Sequence, residues 1–376
     1  MPRWRFEAEY VHMAVNVGLD IGATGVRAVA LDTGKQPPVI RRIGQVDIAP
    51  GAVVAGEIID APAVTEAISR LWKEAKLPKR RIVLGLANQR VIVRQVDVPR
   101  MSELELVEAL PFQVQEYIPI PIEETFLDFV PIEEFTTPDG EPMLSILVVA
   151  AQREMVDVLM GAVNAAGITP IAVDLQAFGL IRALFYGDFD LDAVAAVVDI
   201  GSGVSQVVLV RAGEPRFVRL LQMGGEDFTS ALVDGLDVTW EEAEELKRQV
   251  GVTPVGGVVA AAGDPSIPVE EEHISPLETR AQAILDRQAD RFIEEVRGSV
   301  NFYLGQSDDP ELSRIIVSGN GARLPHLANR LGDALGARIE PARVIEGLNT
   351  GKLSDTEISA MQPVIPVPVG LALWEG

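Results

Sequence analysis

The 376 residues carry 55 acidic and 32 basic side chains, a net charge of −23, with 48% hydrophobic residues and no cysteine. That balance disfavours non-specific binding to nucleic acid or anionic lipid, and the lack of thiols excludes disulfides, thiolate metal sites and thiol catalysis. The three histidines, His12, His273 and His326, show no metal-ligand spacing, and the length suggests about two domains.

The opening "MPRWRFEAEYVHM" has no apolar core of the secretory kind, and no run approaches the ~20 apolar residues of a membrane span. A cytoplasmic location is therefore expected, with Met13 as a candidate start. "VGLDIGATGVRAVAL" (17–31) predicts two apolar strands joined by a glycine turn. Residues 62–77 predict a helix, with Val64, Ile68, Leu71, Trp72 and Ala75 on one face. "RIVLGLANQRVIVRQVDV" (81–98) reads as a second hairpin turning near Asn88 and Gln89. Leu104, Val107, Leu110, Val114 and Tyr117 share one helical face, which Pro111 should kink. Pro119 and Pro121 then force extended chain. A buried strand is expected at 144–151, a helix at 152–166 closed by Gly167, then strand and helix through "ITPIAVDLQAFGLIRALF".

At 194 the opening pattern returns as "VAAVVDIGSGVSQVVLV". A shift of 179 lays Asp20 on Asp199, Ile21 on Ile200, Gly22 on Gly201 and Val29 on Val208, so one supersecondary unit is used twice. Further on, Thr239 and Glu242 form a capping box for a helix over 239–251. Residues 253–276 read as a mobile loop or a hairpin, and Ser275 and Pro276 open a long helix reaching about 304. "RIIVSGNGARLPHLANRLGDALG" (314–336) predicts strand, glycine turn and helix.

Glycine turns let backbone N–H groups approach an anion with no Cβ in the way. Two facing turns can grip a polyphosphate. Asp20 and Asp199 would hold Mg²⁺ through water, and Thr24 and Ser205 would donate hydroxyls. Gly319, Asn320 and Gly321 suit close approach to a base or α-phosphate at a helix N-terminus. Glu244, Lys247 and Arg248 lie at i, i+3 and i+4, a spacing that fits a ribose and purine clamp and equally a solvated salt-bridge face. "YIPIPI" likewise fits a plain surface connector. No GxxxxGK[ST] and no GxGxxG after the first strand occur, which disfavours P-loop and Rossmann folds.

"GLDIGATGVRAVAL", "VVDIGSGVSQVVLV" and "IIVSGNGARLPHLANRL" resemble, in order and spacing, the phosphate-1, phosphate-2 and adenosine motifs of the actin-like ATPase superfamily. "VDLQAFGLIRAL" and the final "PVGLAL" sit where that superfamily has its two interdomain helices. "EALPFQVQEYIPIPIEETFLDFVPI" resembles the PilM family of type IV pilus assembly. The resemblance implies an α/β, actin-like fold of two related domains around a nucleotide cleft (13–195 and 196–352, with 353–376 returning to the first). It also implies an extra subdomain of the FtsA/PilM type at about 97–167.

It implies ATP and Mg²⁺ at Asp20, Gly22, Ala23, Thr24, Asp199, Gly201, Ser202 and Ser205. Gly319, Gly321 and Ala322 would meet the adenosine, Glu244, Lys247 and Arg248 the base and ribose, and Asp174 or Gln176 an attacking water. Phe112, Tyr117, Ile118, Pro119 and Ile120 would meet the N-terminal cytoplasmic segment of a PilN-like membrane protein. Recruitment to the inner face of the membrane, contact with pilus motor ATPases, self-association and slow or undetectable ATPase activity complete the expectation. Two other readings use the same fold. One is an FtsA-like division protein, disfavoured because the tail "VIPVPVGLALWEG" has no basic face. The other is a small-molecule kinase, for which no substrate site is recognisable.

Overall fold

The computed structural model describes residues 4–5, 15–186, 193–255, 275–307, 311–344, 347–351 and 353–375. His12, Met13, His273 and all but the ends of the 253–276 loop lie outside the described residues. One sheet runs β1 (Trp4–Arg5), β11 (Pro170–Leu175), β7 (Ile82–Leu86), β2 (Val15–Gly22), β3 (Gly25–Asp32), β4 (Val39–Asp47). A second runs β14 (Glu214–Leu221), β13 (Ser205–Arg211), β12 (Val194–Ile200), β15 (Leu312–Ser318), β16 (Arg338–Pro341). In each, three consecutive strands form an antiparallel meander, and two further strands add in parallel beside its first member. The 179-residue repeat is thus a repeat of sheet topology as well as of one turn.

The central strands are buried on both faces, as their unbroken apolar runs require. Helices supply the cover. In α1 (Ala61–Ala75), Asp60 caps the Ala63 N–H, and Val64, Ala67, Ile68, Leu71 and Trp72 form the buried stripe. Each large side chain in such a stripe contributes about 1.5–3 kcal/mol by leaving water. α3 (Arg153–Ala165) packs beside α1. With the second sheet lie α5 (Gly225–Leu236), α6 (Trp240–Val250), α7 (Pro276–Leu304) and α8 (Leu327–Leu335). α4 (Gln176–Leu184) crosses α10 (Pro366–Ala372), reached through α9 (Asp355–Met361), where a Cβ on Gly370 would stand 1.6 Å from the Gly179 carbonyl oxygen. Only a glycine at 370 allows that approach.

A third sheet, β8 (Val91–Pro99), β10 (Pro142–Gln152), β9 (Thr125–Thr136), carries α2 (Glu103–Gln113) on one face over a separate core of Val96, Val98, Leu106, Leu110, Ile146 and Val148. β5 (Val53–Val54) and β6 (Glu57–Ile58) form a small ladder. Three sequence expectations are corrected. Residues 81–98 are not a hairpin: β7 joins the first sheet and β8 the third, with Asn88 fully buried between them and its Oδ1 accepting from the Arg90 N–H. Apolar alternation marks a strand but not its partner. The helix through Leu104 and Val107 ends at Gln113, so Tyr117 lies beyond it. The Gly319–Gly321 turn is a short 3₁₀ turn (Asn320–Arg323), and α8 starts only at Leu327, so the turn is not that helix's N-terminus.

Candidate functional site

The two repeated turns face each other across the gap between the main sheets. Asp20, near the end of β2, stands directly opposite Arg27 on β3, and Asp199 on β12 stands directly opposite Gln206 on β13. All four side chains are buried. Arg27 Nη1 donates to Asp20 Oδ2 at 3.3 Å and its Nη2 to Thr24 Oγ1 at 3.4 Å. Gln176, the first residue of α4, joins the two sides. Its Nε2 donates to Asp20 Oδ1 at 2.8 Å, and its Oε1 accepts from Gln206 Nε2 at 3.2 Å. Gln206 Nε2 also stands 3.5 Å from Asp199 Oδ2. One polar chain therefore runs from the first half to the second.

Burial pushes the Asp20 carboxyl above its ordinary range, opposed by the charge and hydrogen bond of Arg27. Asp199 has no cation directly opposite. Burial pushes it up to about 6, with the negative charge of Asp20 adding to the rise and the Ser318 hydroxyl, Arg27 and Gln206 working against it. Gln206 Oε1 and Arg27 Nε are buried without a hydrogen-bond partner. An unpaired buried acceptor and donor beside two carboxylates is a site shaped for polar company. Among the described residues no three His, Cys or acidic side chains gather into a metal cage. A pair of carboxylates matches a hydrated Mg²⁺, which keeps most of its water shell.

The glycines of the second turn and of the 319–321 turn are dictated by backbone crowding. A Cβ on Gly201 would meet the Val204 carbonyl oxygen at 2.3 Å, on Gly319 the Ile200 carbonyl oxygen at 2.3 Å, and on Gly321 the Ile200 side chain at 2.4 Å. The same crowding brings Gly321, Gly225 and Lys247 together: a Cβ on Gly225 would lie 3.8 Å from Gly321 Cα and 3.9 Å from Lys247 Nζ. Lys247 Nζ is held by Gly225 O at 3.0 Å, Thr229 Oγ1 at 2.6 Å and Glu244 Oε1 at 2.6 Å. Ala322 follows in the same turn, and its N–H donates to Gly319 O at 3.3 Å.

Several predicted residues are placed elsewhere. Asp174 is buried and its Oδ2 is taken by Arg182, whose Nε donates to Gly370 O at 2.9 Å, so Arg182 ties α4 to both β11 and α10 while Gln176 enters the cleft. Ser205 is fully buried and donates to Met223 O at 2.7 Å, so it braces the hairpin. Ser202 donates to Glu226 Oε1 at 2.5 Å. Arg248 points to solvent, paired with Glu245, so the Glu244, Lys247 and Arg248 triplet divides into two inward groups and one outward. Gly22, Ala23 and Thr24 form the open tip of the first turn, with Thr24 exposed. Sequence reasoning missed Arg27, Gln206, Thr229 and Ser318. The signal for the first two was present, since the 179-residue shift lays Arg27 on Gln206, the position facing each aspartate.

In the third sheet's subdomain, Phe112 is 81% and Tyr117 51% exposed, and Pro119 is exposed. Ile118 is a core residue under α2, and Ile120 packs against the same core. A groove of about 630 Å³ lies between α2 and the edge strand β9, lined by Leu106, Val107, Leu110, Pro111 and Phe126, with the Arg153 guanidinium 4.2 Å above the Phe126 ring. Among the described residues no helix is long and apolar enough to cross a membrane.

Duplicated sheets with the same strand order, facing acidic turns and a third glycine turn behind them define an actin-like fold. The same architecture is found in the ethanolamine utilization protein EutJ from Carboxydothermus hydrogenoformans, 14% identical over 97% of this chain and 91% of that one, TM-score 0.54. The family described as "Type IV pilus assembly protein PilM" matches residues 18–254, and the chain belongs to that family. A solved "PilM-PilN type IV pilus biogenesis complex" contains a chain 28% identical, covering 95% of this chain and 97% of that chain, TM-score 0.78. The family "Cell division protein FtsA" matches residues 196–361. The FtsA of Bacillus subtilis (strain 168) is 22% identical over 62% of this chain, a match spanning 58% of that protein's length. The chain is a type IV pilus actin-like protein.

Proposed function

We propose that this protein binds ATP with Mg²⁺ in the cleft and, at the subdomain carrying α2, the N-terminal cytoplasmic segment of a PilN-like membrane protein. The observation that carries the reading is the 28% identity, over nearly the whole of both chains, to the PilM of a PilM–PilN complex. Asp20 and Asp199 would hold the metal through water. Arg27, Thr24 and the backbone of the two turns would meet phosphate oxygens, and Gly225, Gly321, Lys247 and Glu244 would enclose the adenosine. The bound ion would neutralise the two facing carboxylates and the phosphates together. Of the groups in the cleft, Gln176 is best placed to orient a water molecule. An amide is a poor base, so hydrolysis is expected to be slow.

The partner segment would lie in the α2–β9 groove, with exposed Phe112 and Tyr117 at its margin, as an apolar segment seated on an apolar surface. Such binding would recruit the protein to the inner face of the membrane, where it could meet the motor ATPases. A role like that of FtsA is the second reading, favoured by the 196–361 match. Calorimetric titration with a synthetic peptide of the PilN-like segment from the same genome separates them. One-to-one binding, lost in Val107→Glu and retained in Asp20→Asn, supports the pilus reading. No binding with or without Mg·ATP overturns it.

A further inference from the structure

A further cavity belongs neither to the nucleotide cleft nor to the α2 groove. It is a cleft of about 1010 Å³ between the face of the third sheet turned away from α2 and the second half of the molecule. Strand β14 and the last turn of α7 form its far wall.

Three features of it converge. The first is charge. Arg94, Arg211, Arg216 and Arg219 line this cleft with only Asp97 and Glu133 as acidic lining, in a chain whose net charge is −23. The surrounding acidic surface repels an acidic ligand, and this cleft attracts one. Arg216 and Arg219 have acidic neighbours, Glu133 at 3.8 Å and Glu295 at 3.6 Å. Those acids are 62% and 50% exposed, so the pairs are weak and exchangeable.

The second feature is an open edge. β14 ends its sheet, pairing with β13 on one side and with no strand among the described residues on the other. Arg216, at a bulge opposite Leu209 and Val210, reaches Ile132 O in the third sheet, at 3.3 Å, while Phe217 and Arg219 both face α7. Guanidinium groups therefore bracket the free edge. The third feature is aromatic. Phe302, 53% exposed, stands 5.8 Å from Phe217, which stands 6.4 Å from Tyr303, centroid to centroid.

We propose that this cleft is a second peptide-docking site, which takes an extended acidic segment of a partner protein as an added strand along β14. Backbone hydrogen bonds to the edge supply the affinity, carboxylates on the two faces of the segment meet Arg216 and Arg219, and an apolar side chain two residues from the second carboxylate rests on Phe217 and Phe302. The eight residues of β14 span ~26 Å at strand rise, which sets the length of the segment at about six to eight residues. The proposal rests on the reading that the PilN-like segment binds elsewhere, in the α2 groove.

The test uses the full chain and a fluorescein-labelled octapeptide of two Glu-Glu-Phe-Leu repeats, which sets Glu and an apolar residue two apart on each strand face, followed by fluorescence anisotropy. Saturable binding is expected, weakened at least tenfold by Arg219→Glu and by Phe302→Ala, and weakened progressively by salt. Both positions are substantially exposed, so the variants should fold, which circular dichroism checks. The octapeptide with Lys in place of Glu should not bind, and one N-methylated on alternate amides should lose binding if the strand edge is used. The proposal is overturned by no saturable binding at millimolar peptide, by unchanged affinity in both variants, or by displacement with the PilN-like peptide, which would make the two sites one.

Discussion

The two glycine turns share a strand pairing and differ in what faces the aspartate. Opposite Asp20 stands a cation, Arg27. Opposite Asp199 stands a neutral amide, Gln206. Both carboxyls are raised by burial, but in the first half the charge that opposes the rise stands directly across the strand pair. The tips differ as well. The first is a two-residue turn, Ala23 and Thr24, open to solvent. The second is a four-residue loop, Gly201–Val204, held by the start of α5: the Gly225 N–H donates to Gly201 O and the Glu226 N–H to Ser202 O, both at 2.9 Å. One duplicated unit has thus become a free tip with a built-in cation and a clamped tip without one.

The largest effect expected from breaking this contrast is at the glycines. Gly224→Ala would push a Cβ to 2.2 Å from Ser202 O and 2.6 Å from Gly201 O. Neither backbone atom can yield without unclamping the second tip, and a loss of about 3 kcal/mol or more is expected. Gly22→Ala meets only the end of the Arg27 side chain, at 3.2 Å, and should cost under ~1 kcal/mol. Urea unfolding of the two variants compares the tips directly, and equal losses would remove the distinction.

Next comes the cation. Arg27→Met leaves Asp20 buried without its opposing charge, and removing one partner of a buried pair costs roughly 3–5 kcal/mol. Gln206→Met removes no charge and should cost about 1–2 kcal/mol. Thermal melts at pH 7 should rank them in that order.

The narrowest contrast, confined to one pH window, is the pH dependence of Asp199 in the nucleotide-free, metal-free protein. Its folded-state value of about 6 lies above the ordinary 3.8, so between those values the folded chain binds more protons than the unfolded one. This carboxyl therefore makes the protein less stable as pH rises from about 4 to 6, after which the contribution levels off. Asp199→Asn should flatten that part of the stability–pH curve and raise the melting temperature at pH 7 relative to the parent. A parent curve that rises across the window and is unchanged by the substitution would contradict the assignment.

Much of this was legible in the sequence because strand, turn and cap signals are local. The 15–32 and 194–211 hairpins, the capping box at Thr239, the Ser275 cap and the Gly167 helix end each depend on a few neighbouring residues, and all lie where the patterns put them. The 179-residue repeat carried the duplicated fold and brought Asp20 and Asp199 forward as a pair. Tertiary structure alone decided which strands share a sheet, as at β7 and β8, and which side chains at helical spacing turn inward. Lys247 reaches Gly225 and Thr229 while Arg248, one residue on, meets solvent, because α5 covers only one side of α6. Asp174 and Gln176 are two residues apart, yet Arg182 takes the first and the cleft receives the second. The sequence determined which chemical groups are present and which short segments form; what each group touches depends on contacts between residues far apart in the chain, which only the packed fold creates.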